Sequence, residues 1–219
     1  MEAYKKLFSS IIVFLCILVT GCAVSPPYNY TELQKAKPRS ILVIPPQNNT
    51  VEVNAPYIFL STISMPLAEK GYYVYPVSVI DAFLKENGLP TPAEMNSVPL
   101  DKIREVIGAD AVLYVSINDW GQKYSVLSSE TVVNATMRLV DTRTGVLLWD
   151  AKASGTYNPN SNNGGGLIGV LVGAVVNQIA GSVIDHTPEL SSAANIAAIY
   201  AAKQGLLAGP YAPVSSTVQ

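Results

Sequence analysis

An α/β fold in a single domain is predicted from three observations in residues 39–208. Apolar runs of strand length alternate with helical patterns in the first part of this range, which is the order found in α/β proteins. The second part, residues 111–149, is rich in β-forming residues. A tight turn at residues 141–145 joins its last two stretches as a hairpin. Helices are therefore expected to pack on a sheet.

The first half begins with a strand that reads as buried. Residues 41–44 are an apolar run of strand length, and a proline pair terminates it. Apolar residues at helical spacings then predict a helix over 55–70, with Gly71 directly after its end. Pro66 is expected to kink or break this helix locally. A second strand follows at residues 72–75.

Two more helices and a third strand complete this half. Residues 77–86 place apolar side chains at helical spacing and end at an Asn-Gly pair. A proline-containing loop leads to a further helix over 100–107, which Gly108 closes. Residues 111–117 are an uninterrupted run of β-formers and predict the third strand.

The β-rich half contains two further strands and a hairpin. Residues 123–127 and 131–140 are rich in β-formers, and in the second stretch apolar and polar side chains alternate, as in a strand with one buried face. Asp141 can hydrogen-bond within the turn that follows, and Gly145 is free to adopt a positive φ. Residues 146–149 then return antiparallel.

The amino-terminal residues predict export and a lipid anchor. Two lysines precede an apolar run over residues 7–19, and small residues follow, which together are the parts of a secretory signal peptide. The sequence Val-Thr-Gly-Cys at 19–22 resembles the lipobox of bacterial lipoproteins, in which a diacylglyceryl group alkylates the Cys thiol before cleavage. The resemblance implies that residues 1–21 are a lipoprotein signal peptide and that Cys22 is the lipidated first residue of the mature chain.

The alternative is an uncleaved membrane anchor in which Cys22 is an ordinary residue. A run of about thirteen apolar residues falls short of the ~20 that a spanning helix needs, so the lipid anchor is favoured. The several acyl chains of a lipoprotein would hold the protein on the membrane. Lipoproteins that stay in an inner membrane usually carry Asp after the Cys, and Ala23 stands there instead. The expected location is the periplasmic face of the outer membrane.

Charge and cysteine content exclude several classes of protein. Without residues 1–21 the chain has 12 basic and 15 acidic side chains, a net charge of −3, which does not attract nucleic acid. Cys16 lies in the signal peptide and Cys22 would carry lipid. No thiol then remains for a disulfide, a metal site or a nucleophile, so the fold depends on its core.

Linker-like segments flank the domain. Residues 22–38 are polar and contain prolines, without apolar periodicity, and predict a lipidated, extended tether. At ~3.1 Å per residue such a tether could hold the domain up to about 50 Å from the membrane. Residues 209–219 begin with Gly-Pro, continue with serines and predict a flexible tail.

Four motifs resemble a family of bacterial outer-membrane lipoproteins of unknown function. They are residues 41–46, 66–74, 108–113 and 141–149. More loosely, the strand that ends in Pro, the Gly-Ala-Asp strand and the Thr-Gly-x-x-x-Trp hairpin are similar to the TolB amino-terminal domain and to the curli-secretion lipoprotein CsgG. This similarity implies a mixed β-sheet with packed helices, and it supplies no catalytic residues.

Catalytic and cofactor motifs are weak in this sequence. His186, the only histidine, follows Asp185 and could be tuned as a general base. The favoured interpretation is a polar helix end with His near the C-terminal dipole. The glycine triplet 164–166 lacks the Lys that a Walker phosphate loop requires after its last Gly. We therefore predict no enzyme activity, no cofactor and no metal site.

An apolar, glycine-rich helix is predicted over residues 167–184, which contain no charged side chain. Gly165, Gly169 and Gly173 recur every four residues, and on a helix they would form one smooth face that lets another helix approach closely. Three interpretations stay open: packing on the protein's own sheet, self-association or partner docking, and contact with the membrane. Two adjacent amide side chains in the segment argue against full insertion.

These features predict a non-enzymatic lipoprotein that acts as an accessory or scaffold in cell-envelope assembly or transport. Its partners would be the membrane, through the lipid anchor, and other envelope proteins or further copies of itself. No small-molecule substrate is indicated. The alternative is an oligomeric secretion or pore component related to CsgG-type lipoproteins, although the strands predicted over 123–140 are too short to supply the long hairpins of such a pore.

Overall fold

A mixed sheet of seven strands organises the described part of the chain. The structure is a computed structural model that describes residues 26–124, 129–158, 167–168 and 185–213. The strands are β1 (Ser40–Val43), β2 (Gln47–Asn48), β3 (Tyr73–Val74), β4 (Ala111–Tyr124), β5 (Ser129–Asp141), β6 (Leu147–Tyr157) and β7 (Leu167–Ile168). The helices are α1 (Thr31–Ala36), α2 (Ala55–Glu69), α3 (Val77–Glu86), α4 (Pro92–Asn96), α5 (Leu100–Val106) and α6 (Thr187–Ile199).

Parallel and antiparallel pairing divide the sheet into two halves. The main order is β3-β1-β4-β5-β6-β7, and β2 also pairs with β4. β1 lies parallel to both β3 and β4, and β2 is likewise parallel to β4. From β4 to β7 each strand is antiparallel to the next. The predicted α/β class and the mixed sheet are therefore confirmed.

Side chains of β1 reach two separate cores on opposite faces of the sheet. Ile41 and Val43 belong to the first core, to which α2 and α6 contribute. Leu42 belongs to the second core, to which α3, α4 and α5 contribute. Because β1 is buried on both faces, its sequence is a continuous apolar run and not an alternating one.

β5 buries one face only. Its alternate apolar positions enter the first core, as the period-two pattern predicted: Val133, Ala135, Met137 and Leu139. The intervening Asn134 and Thr136 are half-buried and Arg138 is exposed. On the opposite face of the sheet, the buried side chains of α3, α4 and α5 pack against β1 and β4. The second core therefore does not extend to β5.

The helix boundaries agree with the sequence in the first half and differ towards the carboxyl end. α2 continues through Pro66 to Glu69, and α3 spans the predicted residues. α6 spans Thr187–Ile199, and so begins and ends earlier than the Ala-rich stretch 191–207, whose composition favours a helix. Its earlier start is consistent with the proline in its first turn, where the missing N–H costs nothing.

The sequence patterns did not predict two features of the structure. The short helix α4 lies within the expected loop, and its N-cap Thr91 forms a reciprocal capping box with Glu94. The strands predicted at 111–117 and 123–127 form one continuous strand, β4, as far as Tyr124. A shift in the β4–β5 register between Ile117 and Asp119 marks an irregularity within it.

The extended tether predicted over residues 22–38 is wrong in its described part. Residues 31–36 form the helix α1, and Leu33 is buried in the first core. An apolar residue that reaches the core stabilises a short helix that would be marginal in isolation.

The flexible tail predicted over 209–219 is wrong for its first residues. The Gly209 N–H donates to the Lys70 carbonyl at 2.7 Å, and the Tyr211 N–H donates to the Gly71 carbonyl at 2.9 Å. Gly71 has a φ of +88°, and a Cβ there would collide with the backbone of Ala212. A glycine after α2 is therefore required by this close backbone contact as well as by its φ.

The helix predicted over 167–184 does not begin at its predicted start. Leu167 and Ile168 form β7 and pair antiparallel with Tyr157 and Thr156. The backbone N–H and C=O groups of β7 are hydrogen-bonded to β6, whereas in a helix they would be bonded within the segment itself. Residues 169–184 lie outside the described residues. No helix in the described part of the chain is long and apolar enough to cross a membrane.

Candidate functional surfaces

The segment that precedes α1 docks on the edge of β6 through Tyr28. Its hydroxyl accepts a hydrogen bond from the Asp150 N–H at 3.0 Å and donates to Asp150 Oδ1 at 2.7 Å. Burial, together with the hydrogen bond and charge of Asp150, raises the pKa of Tyr28 to about 12. The phenol is therefore neutral at neutral pH and keeps the proton that it donates.

The same edge is held by residues from the other end of the chain. Tyr30 packs edge-on against Tyr28, with ring centroids 4.8 Å apart, and its hydroxyl donates to the Gly205 carbonyl at 2.6 Å. Gln204 Nε2 donates to the Asp150 carbonyl at 3.0 Å. Both backbone groups of Asp150 are thus bonded to side chains, and at this position the strand edge is closed to pairing with another chain.

The docked Tyr28 sets how far the domain can lie from Cys22. Six residues of fully extended chain span at most about 20 Å. The reach of about 50 Å expected for an extended tether over 22–38 is therefore wrong, because its second half is part of the domain.

A second feature is a polar cavity of about 410 Å³ where the amino-terminal ends of α2 and α6 approach the end of β4. Its lining includes two carboxylates, Glu52 and Asp185, and the side chains of Asn54, Trp120 and Thr187. Two of these residues precede α2, two border the start of α6, and Trp120 belongs to β4. The cavity therefore depends on three elements that are distant in sequence.

A structured loop presents Glu52 to this cavity. Asn48 Nδ2 donates to the Glu52 carbonyl at 2.9 Å, and the Glu52 N–H donates to Thr50 Oγ1 at 3.2 Å. The Glu52 side chain lies directly over Gly121, where a Cβ would come within 2.9 Å of its carboxylate oxygen. Gly121, with a φ of +95°, thus makes the room that this carboxylate occupies.

The start of α6 supplies the opposite wall. Asp185 Oδ1 accepts a hydrogen bond from the Thr187 N–H at 2.9 Å. The Thr187 side chain is buried, and among the described residues its hydroxyl has no hydrogen-bond partner. Asn54, the N-cap residue of α2, makes no side-chain capping bond. Several polar groups around the cavity therefore have unused hydrogen-bonding capacity.

The sequence makes His186 a candidate general base and favours a position near a helix C-terminus. It instead precedes the first residue of α6, so that placement is wrong. The imidazole is buried and packs edge-on against Tyr157, with ring centroids 4.6 Å apart. Among residues of the described ranges, no group of three or more His, Cys, Asp or Glu side chains is placed to hold a metal ion.

The other residues singled out by sequence lie outside the described ranges. They are Cys22, Gly165, Gly169 and Gly173. The predicted lipidation site and the predicted self-association face therefore stay predictions. The cavity at Glu52 was not foreseen, and the only local sign of it is a charged residue between two valines in an otherwise polar loop.

Comparison with known proteins defines the class. A family described as “Putative lipoprotein GNA1162-like” matches residues 28–211, and the chain belongs to this family. The match begins at the docked Tyr28 and ends at Tyr211, so it includes the residues near both ends of the described domain that are hydrogen-bonded to its body.

Individual relatives agree with this assignment. The chain is 39% identical over 208 residues to a protein of Neisseria meningitidis serogroup B named “Putative lipoprotein NMB1124/NMB1162”, covering 94% of this chain and 96% of that protein. The crystal structure of lipoprotein GNA1162 from Neisseria meningitidis is 40% identical, with a TM-score of 0.54, and covers 57% of this chain and 88% of that one.

A more distant structural similarity is to the PelC dodecamer from Paraburkholderia phytofirmans, at 19% identity and a TM-score of 0.41 over 73% of this chain and 81% of that one. The comparisons do not support the alternative of a CsgG-type secretion or pore component.

Proposed function

We propose that the protein is anchored by lipid on Cys22 at the periplasmic face of the outer membrane and acts there as a non-enzymatic accessory or scaffold that binds other envelope proteins. Membership of a lipoprotein family and the lipobox-like residues 19–22 support the anchor. Ala23, in place of an Asp after the Cys, supports the outer membrane.

The observation that carries the proposal is the docking of Tyr28 on β6. Because this contact lies six residues after Cys22, a lipid on that residue would keep the domain within about 20 Å of the membrane. A domain confined in this way meets its partners at the membrane surface, where its effective concentration towards other anchored proteins is high.

A binding role also agrees with the exposed apolar side chains of the loop before α2. Val51 is 92% exposed and Val53 is 79% exposed, although the loop that carries them is fixed by its own hydrogen bonds. A partner that covered these two side chains would remove apolar surface from water, which favours binding. Gly169 and Gly173 are kept as a second proposed contact face, for self-association. Gly165 precedes β7, which interrupts the predicted helical face between it and Gly169.

Site-specific cross-linking in living cells tests this function. A photoreactive amino acid at Val53 should yield a defined adduct with an envelope protein, and the adduct should weaken when Cys22→Ser removes the lipid and leaves the precursor unprocessed. The matched control is the same amino acid at Val106, which is 62% exposed on α5. Equal adducts from both positions, or none from either, would contradict the proposal.

Density-gradient separation of the membranes tests the location independently. We expect the protein to sediment with the outer membrane and to be protected from protease in intact cells. Recovery with the inner membrane would reject the outer-membrane assignment.

A further inference from the structure

We propose that the groove between α1 and residues 207–210 faces the bilayer and binds an anionic phospholipid there, with an acyl chain against its apolar walls and the phosphate at Lys37 and Arg39. The proposal rests on the proposed lipid anchor at Cys22, and it adds the face that the domain turns towards the membrane. Three observations carry it: where the anchored segment meets the domain, what lines the groove, and which cations at its rim have no carboxylate partner.

The groove lies beside the segment that leads to the anchor. Tyr30, the last residue before α1, donates its hydroxyl proton to the Gly205 carbonyl at 2.6 Å. α1 forms one wall of the groove, and residues 207–210, which begin two positions after Gly205, form the other. Tyr28, docked next to Tyr30, is six residues from Cys22, a span of at most about 20 Å. The groove is therefore at the end of the domain to which the anchor is joined.

Apolar side chains dominate the lining of the groove, with one amide and one ammonium group among them. Leu33 and Tyr72 form its floor, since both are buried, and the Tyr72 hydroxyl already donates to the Leu207 carbonyl at 3.0 Å. Ala208 and Pro210 are exposed on one wall. The volume of about 300 Å³ is at the lower end of the roughly 300–1,000 Å³ found for small-molecule sites. An acyl chain that covers these walls removes apolar surface from water, which favours binding.

Lys37 lies at the rim without a counter-charge. It lines the groove, is exposed, and its ammonium group forms no ion pair or hydrogen bond in the described part of the chain. Lys35, on the same helix, is by contrast paired with Glu32 at 2.8 Å. An unpaired ammonium group next to apolar walls matches a phospholipid, in which an anionic head group adjoins the acyl chains.

Arg39 supplies the second positive charge. Its Nε and Nη2 donate to the Tyr211 hydroxyl at 3.2 and 2.8 Å, which joins the guanidinium to the segment that forms the second wall. Asp110 accepts a hydrogen bond from the Arg39 backbone N–H at 2.9 Å, and its carboxylate forms no ion pair with the guanidinium. Three of the five guanidinium N–H groups are therefore available to a phosphate.

The charge of the whole chain makes these two cations important for orientation. Without residues 1–21 the chain has a net charge of −3, so most of its surface is repelled by an anionic bilayer. Four lysines, Lys35, Lys85, Lys102 and Lys123, each pair with a carboxylate. Lys37 and Arg39 have no such pair, so lipid phosphates can neutralise them without breaking one. The domain is thus expected to turn this face to the membrane.

Photo-cross-linking of the purified lipidated protein in nanodiscs tests this orientation. The discs contain phosphatidylethanolamine and phosphatidylglycerol in about a 3:1 ratio, with a trace of phosphatidylglycerol that carries a diazirine in its acyl chain. We expect mass spectrometry to map adducts to residues 33–38 and 207–210. Discs of phosphatidylcholine alone, with the same diazirine chain on phosphatidylcholine, should give at least about fivefold fewer adducts at these residues. Raising NaCl to about 0.5 M should lower the phosphatidylglycerol yield in the same way.

Three variants and one control define the groove. Lys37→Gln and Arg39→Gln should each lower the adduct yield about fivefold, the contribution of one basic residue near an anionic membrane. Ala208→Glu places a carboxylate on an exposed wall and should lower the yield as well. Arg104→Gln removes an exposed cation on α5, against the opposite face of the sheet, and should leave the yield unchanged. Melting temperatures will show that the variants are folded, and the lipid and salt comparisons need no substitution.

Three results would overturn the proposal: adducts confined to residues 22–27, equal yields from the two lipids, or an effect of Arg104→Gln as large as that of Lys37→Gln. Absence of groove adducts in a protein that carries lipid on Cys22 would reject this face and leave the anchor standing. A mature chain without lipid would reject the anchor, and the same probes in vesicles would then decide whether the groove binds phosphatidylglycerol.

Discussion

Asp141 shows at the scale of one residue how a carboxylate organises a turn. Its side chain is 1% exposed and accepts hydrogen bonds from the backbone N–H groups of Arg143 at 2.8 Å and Thr144 at 3.0 Å. Arg143 Nη2 also pairs with Asp141 Oδ2 at 3.0 Å. Burial alone would raise the pKa of Asp141, but these hydrogen bonds and the guanidinium charge outweigh it and lower the pKa.

Replacement of this carboxylate should destabilise the fold in a pH-dependent way. Asp141→Asn is expected to lower the free energy of unfolding by about 1–3 kcal/mol at pH 7, because the hydrogen bonds then go to a neutral acceptor and the ion pair with Arg143 is lost. The folded-state pKa lies below the ordinary value of 3.8, so the stabilisation is complete above that pH and is lost as the pH falls through the folded-state pKa.

Denaturant titrations at a series of pH values will measure the difference between the two proteins. The gap should narrow as the pH falls below about 4. Glu86→Gln, on an exposed carboxylate, serves as the control and should show no such trend. A gap that is constant from neutral to acidic pH would show that the charge of Asp141 is not the stabilising feature.

The polar cavity shows what single residues in a sequence do not reveal. Glu52 and Thr187 belong to distant parts of the chain, and each is unremarkable beside its own neighbours. The turn at Asp141 was predictable because all partners of its carboxylate lie within three residues. Local hydrogen bonding leaves a pattern in the sequence, whereas convergence through tertiary packing does not.

At the scale of elements, the β5–β6 hairpin is anchored by Trp149. Its ring has no exposed surface, and Nε1 donates to the Gln204 carbonyl at 2.8 Å. The indole thus joins the hairpin to the chain after α6, in addition to filling the first core.

Truncation of the Trp149 side chain should lower the free energy of unfolding of the domain. Trp149→Ala is expected to cost roughly 3–5 kcal/mol, since a large buried ring leaves a cavity. Chemical denaturation will measure this cost, with Leu147→Ala as the control on the same strand, where the side chain is 40% exposed. A loss for Trp149→Ala no larger than that of the control would contradict the proposed role of the hairpin.

The docked amino-terminal segment makes a separate prediction. Tyr28→Phe keeps the ring but removes both hydrogen bonds to Asp150, so it should weaken docking by about 1–2 kcal/mol. Hydrogen exchange at the Asp150 amide should accelerate by roughly the corresponding factor of 5 to 30.

The control for this experiment is Tyr73→Phe, at the opposite edge of the sheet, where the ring is 52% exposed. This control should leave exchange at Asp150 unchanged. Unchanged protection of Asp150 in Tyr28→Phe would mean that the segment is held by contacts other than the hydroxyl.

At the scale of the whole molecule, the central fold was predictable from the sequence, but the packing of its two terminal segments, α1 and residues 209–212, was not. β1, α2, α3 and the hairpin follow from local periodicity and from their turns, because each pattern is complete within its own segment. α1 and residues 209–212 carry no such pattern, and they are ordered by contacts with Asp150, Gly71 and the first core.

The packing of the terminal segments determines how far the domain is expected to lie from a membrane. Tyr28 docks on the edge of β6, residues 209–212 pack on the connection between α2 and β3, and only about six residues separate Tyr28 from Cys22. A lipid anchor at that position would therefore hold a compact domain close to the bilayer, without a long flexible tether.

The mass of the amino-terminal peptide from the mature protein, purified from membranes, tests the central claim most directly. The account predicts a chain that begins at Cys22 and carries diacylglyceryl on its thiol, together with an unprocessed and unacylated precursor in the Cys22→Ser variant. A mature chain with a free Cys22 thiol, or one that retains residues 1–21 without lipid, would contradict the account.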